Sequence, residues 1–84
     1  MYEIVFKESA RKELSKVHSV YYETIEKHIC ELAHNPRPSG CKKLVTSANT
    51  YRIRIGVYRV IYTIKDNQLI VEIIKIGHRS NIYM

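Results

Sequence analysis

The chain has 84 residues, with 14 Lys or Arg, 8 Asp or Glu and a hydrophobic fraction of 45%. This length predicts one small domain over residues 1–84, near the size at which a single core is just sufficient. No apolar run reaches the roughly 20 residues of a membrane span, and the N-terminus lacks the features of a signal peptide. We therefore expect a cytoplasmic protein that does not act on membranes.

The net charge of +6 lies entirely in the second half of the chain. Residues 1–41 contain six basic and six acidic residues, whereas residues 42–84 contain eight basic and two acidic ones. Such asymmetry indicates an anionic partner, either nucleic acid or an acidic protein. Cys30 and His34 have the i, i+4 spacing of a helical metal pair. A structural zinc site needs four ligands, however, and no second close pair follows, so no metal or other cofactor is expected.

The first half reads as a strand followed by two helices. Residues 2–6 alternate, as in a half-buried strand, and a helix then starts near Ser9, with Ser9 or the residue before it as the N-cap. A second helix is predicted from about Val20 to His34, and the two should form an antiparallel hairpin. Helical spacing places six residues on the buried face of the second helix: Tyr21, Tyr22, Ile25, Ile29, Leu32 and Ala33.

The stretch from Tyr51 to Ile64, YRIRIGVYRVIYTI, predicts a β-hairpin. It alternates on both sides of Gly56-Val57, and a Gly-X pair between such runs is typical of a type II′ turn. Counting outward from that turn pairs Ile55 with Tyr58, Arg54 with Arg59, Ile53 with Val60 and Arg52 with Ile61.

This register places Arg52, Arg54 and Arg59 on one face of the hairpin. Arg54 and Arg59 are then directly opposite each other, and like charges across a strand pair destabilise a sheet. The arrangement is explained if an anion binds on that face. The alternative is a solvated basic face whose arginines splay apart into water.

The last strand is predicted from Leu69 to Ile76, after a turn at Asp66-Asn67 or one residue later, and Gly77 should end it. Its nearly continuous apolar run predicts an interior position in the sheet. The order is then β-α-α-β-β-β, an α+β fold whose mostly antiparallel sheet carries a helical hairpin on one face. Five residues should form the sheet's side of the core: Ile53, Val60, Tyr62, Val71 and Ile73.

The candidate site residues suit metal-free RNA cleavage, in which a 2′-hydroxyl attacks the adjacent phosphate. Arginines bind phosphate oxygens with two parallel hydrogen bonds but do not transfer protons easily. The proton carriers beside them are His78 and Tyr83. We predict as catalytic residues Arg52, Arg54, Arg59, His78, Arg79 and Tyr83, and as RNA-binding residues Lys42, Lys43, Arg52 and Arg54.

These segments resemble the RelE/ParE superfamily, the toxins of bacterial and archaeal toxin–antitoxin pairs. The resemblance rests on YRIRIGVYRVIYTI, on LIVEIIKIGHR and on the closing Ile82-Tyr83, and it spans essentially the whole chain. It implies the β-α-α-β-β-β fold derived above. RelE-like members cleave mRNA in the ribosomal A site, and their basic and tyrosine positions are matched here by Arg52, Arg54, Arg59, Arg79 and Tyr83.

Two departures from the RelE pattern concern proton transfer. Some relatives carry lysines where this chain has Arg52 and Arg54, so a lysine proton donor is absent. The spacing from Arg79 to Tyr83 is also shorter than in some members. Both Tyr83 and His78 therefore stay open as the general base.

The resemblance also implies partners. A cognate acidic, RelB-like antitoxin would cover the basic half, and operator DNA would be bound only through that complex. The substrates would be the ribosome and its mRNA. Two alternatives stay open: a ParE-like inhibitor of DNA gyrase, and a non-catalytic member kept for antitoxin or DNA binding. The ParE branch generally lacks the full arginine and tyrosine set, so this set favours RelE.

Overall fold

The computed structural model describes residues 1–45 and 47–78. Its elements are β1 (Glu3–Phe6), α1 (Glu8–Ser15), α2 (Ser19–Glu31), β2 (Lys42–Lys43), β3 (Thr50–Ile55), β4 (Tyr58–Lys65), a 3₁₀ helix (Asp66–Gln68) and β5 (Ile70–His78). The predicted β-α-α-β-β-β order is confirmed, with the two-residue β2 as an addition. Within those ranges, no helix combines the length and apolarity needed to cross a membrane.

One five-stranded sheet has the strand order β1-β5-β4-β3-β2. The β1–β5 pair is parallel and the other three pairs are antiparallel. The long apolar strand β5 lies between β1 and β4, so its interior position is confirmed. Consecutive strands β2 to β5 are neighbours because short turns can join antiparallel strands, whereas the parallel return from β1 to β5 needs the intervening chain.

The core lies between the helices and one face of the sheet. All five predicted sheet residues are at most 6% exposed. They belong to the same buried cluster as Ala10 and Leu14 of α1 and Ile25 and Ile29 of α2. Successive side chains of a strand point to opposite faces. Residues that alternate with this set therefore face away from the helices.

Two local predictions for the helices were wrong. Ser9 lies inside α1, whose N-cap is Lys7 and has no side-chain cap hydrogen bond. In α2, Ile25, Ile29 and Leu32 are buried as predicted, but Tyr21 and Tyr22 are each 36% exposed. These tyrosines belong to the first turn of α2, and the ring of Tyr21 contacts Tyr58, next to the β3–β4 turn, with 5.3 Å between centroids.

The β4–β5 connection is longer than predicted, and β5 ends later. A 3₁₀ turn over Asp66–Gln68 is followed by Leu69 in the left-handed region, with φ 54°. The strand then passes through Gly77 and ends at His78. An extra residue, Ile74, sits between the pairs Tyr62–Ile73 and Ile61–Lys75, which is a β-bulge. A bulge changes the alternation of the strand that carries it.

Candidate functional site

The β3–β4 hairpin has the predicted register, residue for residue. Arg54 is opposite Arg59, and Arg52 is opposite Ile61. Gly56 has φ 60°, a conformation that favours glycine, whereas the following Val57 does not have a positive φ, as a type II′ turn requires. The turn therefore fixes which side chains share a face.

The three hairpin arginines point away from the helices, since the residues between them belong to the core. Lys42 joins them, because β2 pairs Lys42 with Arg52. We call these four residues, Lys42, Arg52, Arg54 and Arg59, the basic face.

Side chains on the basic face differ in exposure. Arg54 is exposed, whereas Arg52 and Arg59 are half-buried. Ile61, which shares this face by alternation, is 1% exposed. The basic face thus places cationic groups next to a buried apolar residue, where charges are screened less by solvent than on an open surface.

Arg52 has a buried polar atom without a partner. Its Nε is inaccessible to solvent and donates no hydrogen bond within the described residues. An unsatisfied buried donor costs about 1–3 kcal/mol, and strain, a catalytic role, a water or an ion are the explanations for such a group.

Lys43 and Lys42, both predicted to bind RNA, lie on different faces. Both are exposed, but Lys43 pairs with Tyr51, whose side chain belongs to the core. Alternation therefore directs Lys43 away from the basic face. Of the two lysines, the structure brings Lys42 to the arginines.

His78 is not on the basic face. It pairs with Tyr58, which packs against the helix-side core, and the two rings meet edge to face with 6.0 Å between centroids. The neighbouring Gly77 is instead opposite Arg59. The physical reason is the bulge at Ile74: alternation counted from Val71 without it would place residue 78 with the arginines.

Two of the predicted catalytic residues, Arg79 and Tyr83, lie outside the described residues. The described part of the site is therefore the basic face and the end of β5, at Gly77 and His78. Within residues 1–45 and 47–78, no group of three or more His, Cys, Asp or Glu side chains is placed to hold a metal ion.

A cluster of polar side chains, which the sequence did not reveal, holds the loop that joins α2 to β2. Arg37 Nη2 lies 2.9 Å from Asp66 Oδ2, and Arg37 Nε donates to the Tyr51 hydroxyl at 3.1 Å. Tyr2 donates to Asp66 Oδ1 at 2.6 Å. The hydrogen bond from Arg37, and then the one from Tyr2, lowers the pKa of Asp66, so the carboxylate stays ionised. The loop thus anchored leads into β2 and positions Lys42.

A buried tyrosine fixes the same loop from inside. The Tyr62 hydroxyl donates to the carbonyl oxygen of Pro36 at 2.8 Å. Burial raises the pKa of this hydroxyl, so it stays a donor. These contacts join residues 14 or more positions apart, and no local pattern of the sequence could have indicated them.

Comparison with known proteins identifies the family to which the sequence belongs. The family model for the ParE toxin of the type II toxin–antitoxin system parDE matches residues 4–83. The mRNA interferase toxin RelE of Escherichia coli K12 is 31% identical over 86 residues, covering 98% of this chain and 90% of that protein. Toxin RelG of Mycobacterium tuberculosis is 30% identical over 83 residues, covering 98% and 95%.

The fold is likewise similar to a solved toxin. The crystal structure of the intact E. coli RelBE toxin–antitoxin complex contains a chain that matches with a TM-score of 0.82 and 30% identity, over 93% of this chain and 96% of that one. The family match covers nearly the whole chain and includes both the helices and the basic hairpin. The chain therefore belongs to the RelE/ParE superfamily of toxins from type II toxin–antitoxin systems, and it is RelE-like in sequence and fold.

Proposed function

We propose that this protein is a ribosome-dependent endoribonuclease that cleaves mRNA in the A site. The observation that carries the proposal is the basic face, where Arg54 is opposite Arg59 and Lys42 is opposite Arg52. Relatives named mRNA interferase support the same kind of activity. In this reaction the 2′-hydroxyl attacks the adjacent phosphate without a metal ion.

The arginines would stabilise the negative charge that develops on the phosphate during the reaction. Attack on the phosphate concentrates negative charge on its non-bridging oxygens, and donors already fixed in place stabilise that charge at little reorganisation cost. A guanidinium presents two parallel donors to a phosphate, which suits Arg54 and Arg59 on their adjacent strands. Arg52 and Lys42 extend the cationic surface along the flanking nucleotides. Arg79 would complete the phosphate site.

We propose Tyr83 as the general base, which takes the proton from the 2′-hydroxyl. His78 faces the helix side of the sheet beside Tyr58, which supports Tyr83 over His78 as the base. Arginines close to a tyrosine favour its anionic form and so raise the fraction that can accept a proton. Tyr83→Phe should slow cleavage under single-turnover conditions, and His78→Gln should not.

The test is cleavage of mRNA on programmed ribosomes by purified protein. Arg59→Ala and Arg79→Ala are each expected to lower kcat by about 10²-fold or more, the usual effect of removing one charge-stabilising donor. Arg11→Ala is the matched control, because Arg11 is an exposed arginine on α1. Attack by the 2′-hydroxyl leaves a 2′,3′-cyclic phosphate and a 5′-hydroxyl at the cut. Products that instead carry a 5′-phosphate, or two arginine variants that cleave at the wild-type rate, contradict the assignment.

The partner we propose is an acidic, RelB-like antitoxin. The related E. coli structure is a RelBE toxin–antitoxin complex, and this chain carries its +6 charge in residues 42–84. An acidic partner would neutralise the basic face, and the pair would bind operator DNA. Co-expression with a short acidic reading frame adjacent to the gene should relieve growth arrest, and charge reversal of Arg54 should weaken the complex.

A second candidate function is inhibition of DNA gyrase, since the matching family model is described as a ParE toxin. It predicts gyrase-dependent DNA damage while translated mRNA stays intact. Supercoiling by purified gyrase, measured with and without the protein, separates the two activities. A protein inactive in both assays would be a non-catalytic member.

A further inference from the structure

Glu13 of α1 makes a hydrogen bond to the end of β5. The backbone N–H of Ile76 donates to Glu13 Oε1 at 2.9 Å, across 63 positions of sequence. Glu13 is half-buried, whereas Glu8 in the same helix is exposed. A hydrogen bond to an ionised acceptor is stronger than one between neutral groups.

This contact occurs where β5 loses its outer neighbour. β1 pairs with β5 from Ile70 to Ile73, and Lys7 N then donates to the carbonyl oxygen of Ile73. Beyond Ile73, no strand of the described chain pairs with that side of β5. An unpaired strand edge is otherwise free to fray, and the carboxylate of Glu13 supplies the acceptor that a neighbouring strand would have provided.

The end of β5 leads directly into the proposed site. Gly77, the residue after Ile76, is opposite Arg59, and Arg59 is opposite Arg54. Arg79 follows Gly77 by two positions in the sequence. Consecutive Cα atoms are only about 3.8 Å apart, so displacement of Ile76 is passed to the segment that starts at His78.

We propose that Glu13 is a positioning residue for RNA cleavage, which holds the end of β5 so that Gly77 stays opposite Arg59 of the basic face. This inference rests on the proposed function. Glu13 itself lies on the helix side of the sheet, beside a cavity of about 350 Å³ that Lys16, Tyr58 and His78 also line. It acts through the backbone of Ile76 and does not contact the substrate.

The same cavity makes the test feasible. Because it opens beside Glu13, water can reach the Ile76 amide when the carboxylate is removed, so Glu13→Ala should stay folded. A shift of about 1 Å in a reacting group can reduce the rate by up to about 10²-fold. We therefore expect Glu13→Ala to lower kcat by about 10- to 100-fold while KM changes little.

The experiment compares wild type, Glu13→Ala, Glu13→Gln and the control Glu8→Ala in the ribosome cleavage assay. Amide hydrogen exchange of Ile76 is followed in parallel by NMR. Glu13→Gln keeps an acceptor oxygen and should restore most of kcat and the slow exchange, and Glu8→Ala should match wild type in both. Equal impairment of Glu13→Gln and Glu13→Ala would show that the charge acts, and not the hydrogen bond, and would overturn the inference.

Failure of this inference and failure of the proposed function give different results. An active wild type beside a Glu13→Ala variant with unchanged kcat overturns the inference alone. A wild-type protein that leaves translated mRNA intact overturns the proposed function, and the positioning role with it.

Discussion

The opposition of Arg54 and Arg59 predicts an unfavourable coupling energy in the folded protein. Residues that flank a two-residue turn form a hydrogen-bonded pair, here Ile55 and Tyr58, so the next pair outward is of the non-hydrogen-bonded type. In that type the Cα atoms are only about 4.5 Å apart and the side chains lie close. Replacing both arginines with glutamine removes the charges and keeps most of each side chain's length.

The magnitude follows from Coulomb's law. Two unit charges about 7 Å apart in a solvent-like dielectric repel by about 0.6 kcal/mol, within the range of roughly 0.2–1 kcal/mol found for cross-strand pairs. The Debye length falls from about 30 Å at 0.01 M salt to about 3 Å at 1 M. The coupling should therefore be about 0.5 kcal/mol at 0.01 M salt and close to zero at 1 M.

The assay is a double-mutant cycle of urea unfolding with Arg54→Gln, Arg59→Gln and the double variant. A cycle isolates the term between the two residues, whatever other partners each has. A control cycle pairs Arg54→Gln with Lys27→Gln, because Lys27 is an exposed residue on α2. Its coupling should be zero within error. A favourable Arg54–Arg59 coupling at low salt, or one that 1 M salt leaves unchanged, would refute the electrostatic reasoning.

Two further predictions concern the contacts that hold the loop before β2. Tyr62→Phe removes the buried donor to the Pro36 carbonyl and should lower the free energy of unfolding by about 1–2 kcal/mol. Tyr22→Phe is the control, because Tyr22 is exposed. Equal stability of the two variants would contradict the role of this hydrogen bond. Hydrogen bonds from Arg37 and Tyr2 lower the pKa of Asp66 in the folded protein. The ionised carboxylate therefore stabilises the fold above the unfolded pKa of Asp66, about 3.9. This stabilisation is lost as the pH falls through the lower pKa of the folded state. Asp66→Asn should therefore be less stable than wild type near pH 6, and the difference should shrink below about pH 4; a difference that does not change with pH would exclude this linkage.

The hairpin and the core could be predicted from the sequence because local rules determine both. Alternation assigned each residue of β3 and β4 to a face, and the glycine turn at Gly56 fixed the register. The basic face thus followed from counting along fourteen residues of sequence. The same counting identified Ile53, Val60 and Tyr62 as core residues, because burial on one face of a strand recurs every second position.

The end of β5 could not be predicted in the same way. The sequence from Ile73 to Ile76 gives no sign of which residue will bulge, and the extra residue at Ile74 reverses the faces of the strand residues after it. Gly77 also suggested a strand end, although here it lies inside a ladder opposite Arg59. His78 was consequently grouped with the arginines, whereas it contacts Tyr58 on the helix side.

Contacts between distant residues were also beyond the reach of pattern analysis. Glu13 and Ile76, and Arg37 and Asp66, approach each other only because the sheet brings β5 and the β4–β5 turn beside α1 and the loop before β2. Glu13, Arg37 and Asp66 are of residue types that are ordinary for exposed positions. Tyr21 and Tyr22 show the opposite error, since helical spacing predicted burial, but they belong to the first turn of α2 and stay partly exposed.

The two faces of the sheet divide stability from the proposed chemistry, and this division explains why a like-charge pair can persist. The helix-side face buries Val60, Tyr62 and Ile73 completely. Full burial of each such side chain contributes about 1.5–3 kcal/mol, several times the repulsion expected between Arg54 and Arg59. A small destabilisation on the basic face is therefore tolerable, and neutralising Arg54 should stabilise the free protein while it weakens phosphate binding. That pairing of opposite effects distinguishes a retained functional site from a solvated surface, on which neutralisation would change stability alone.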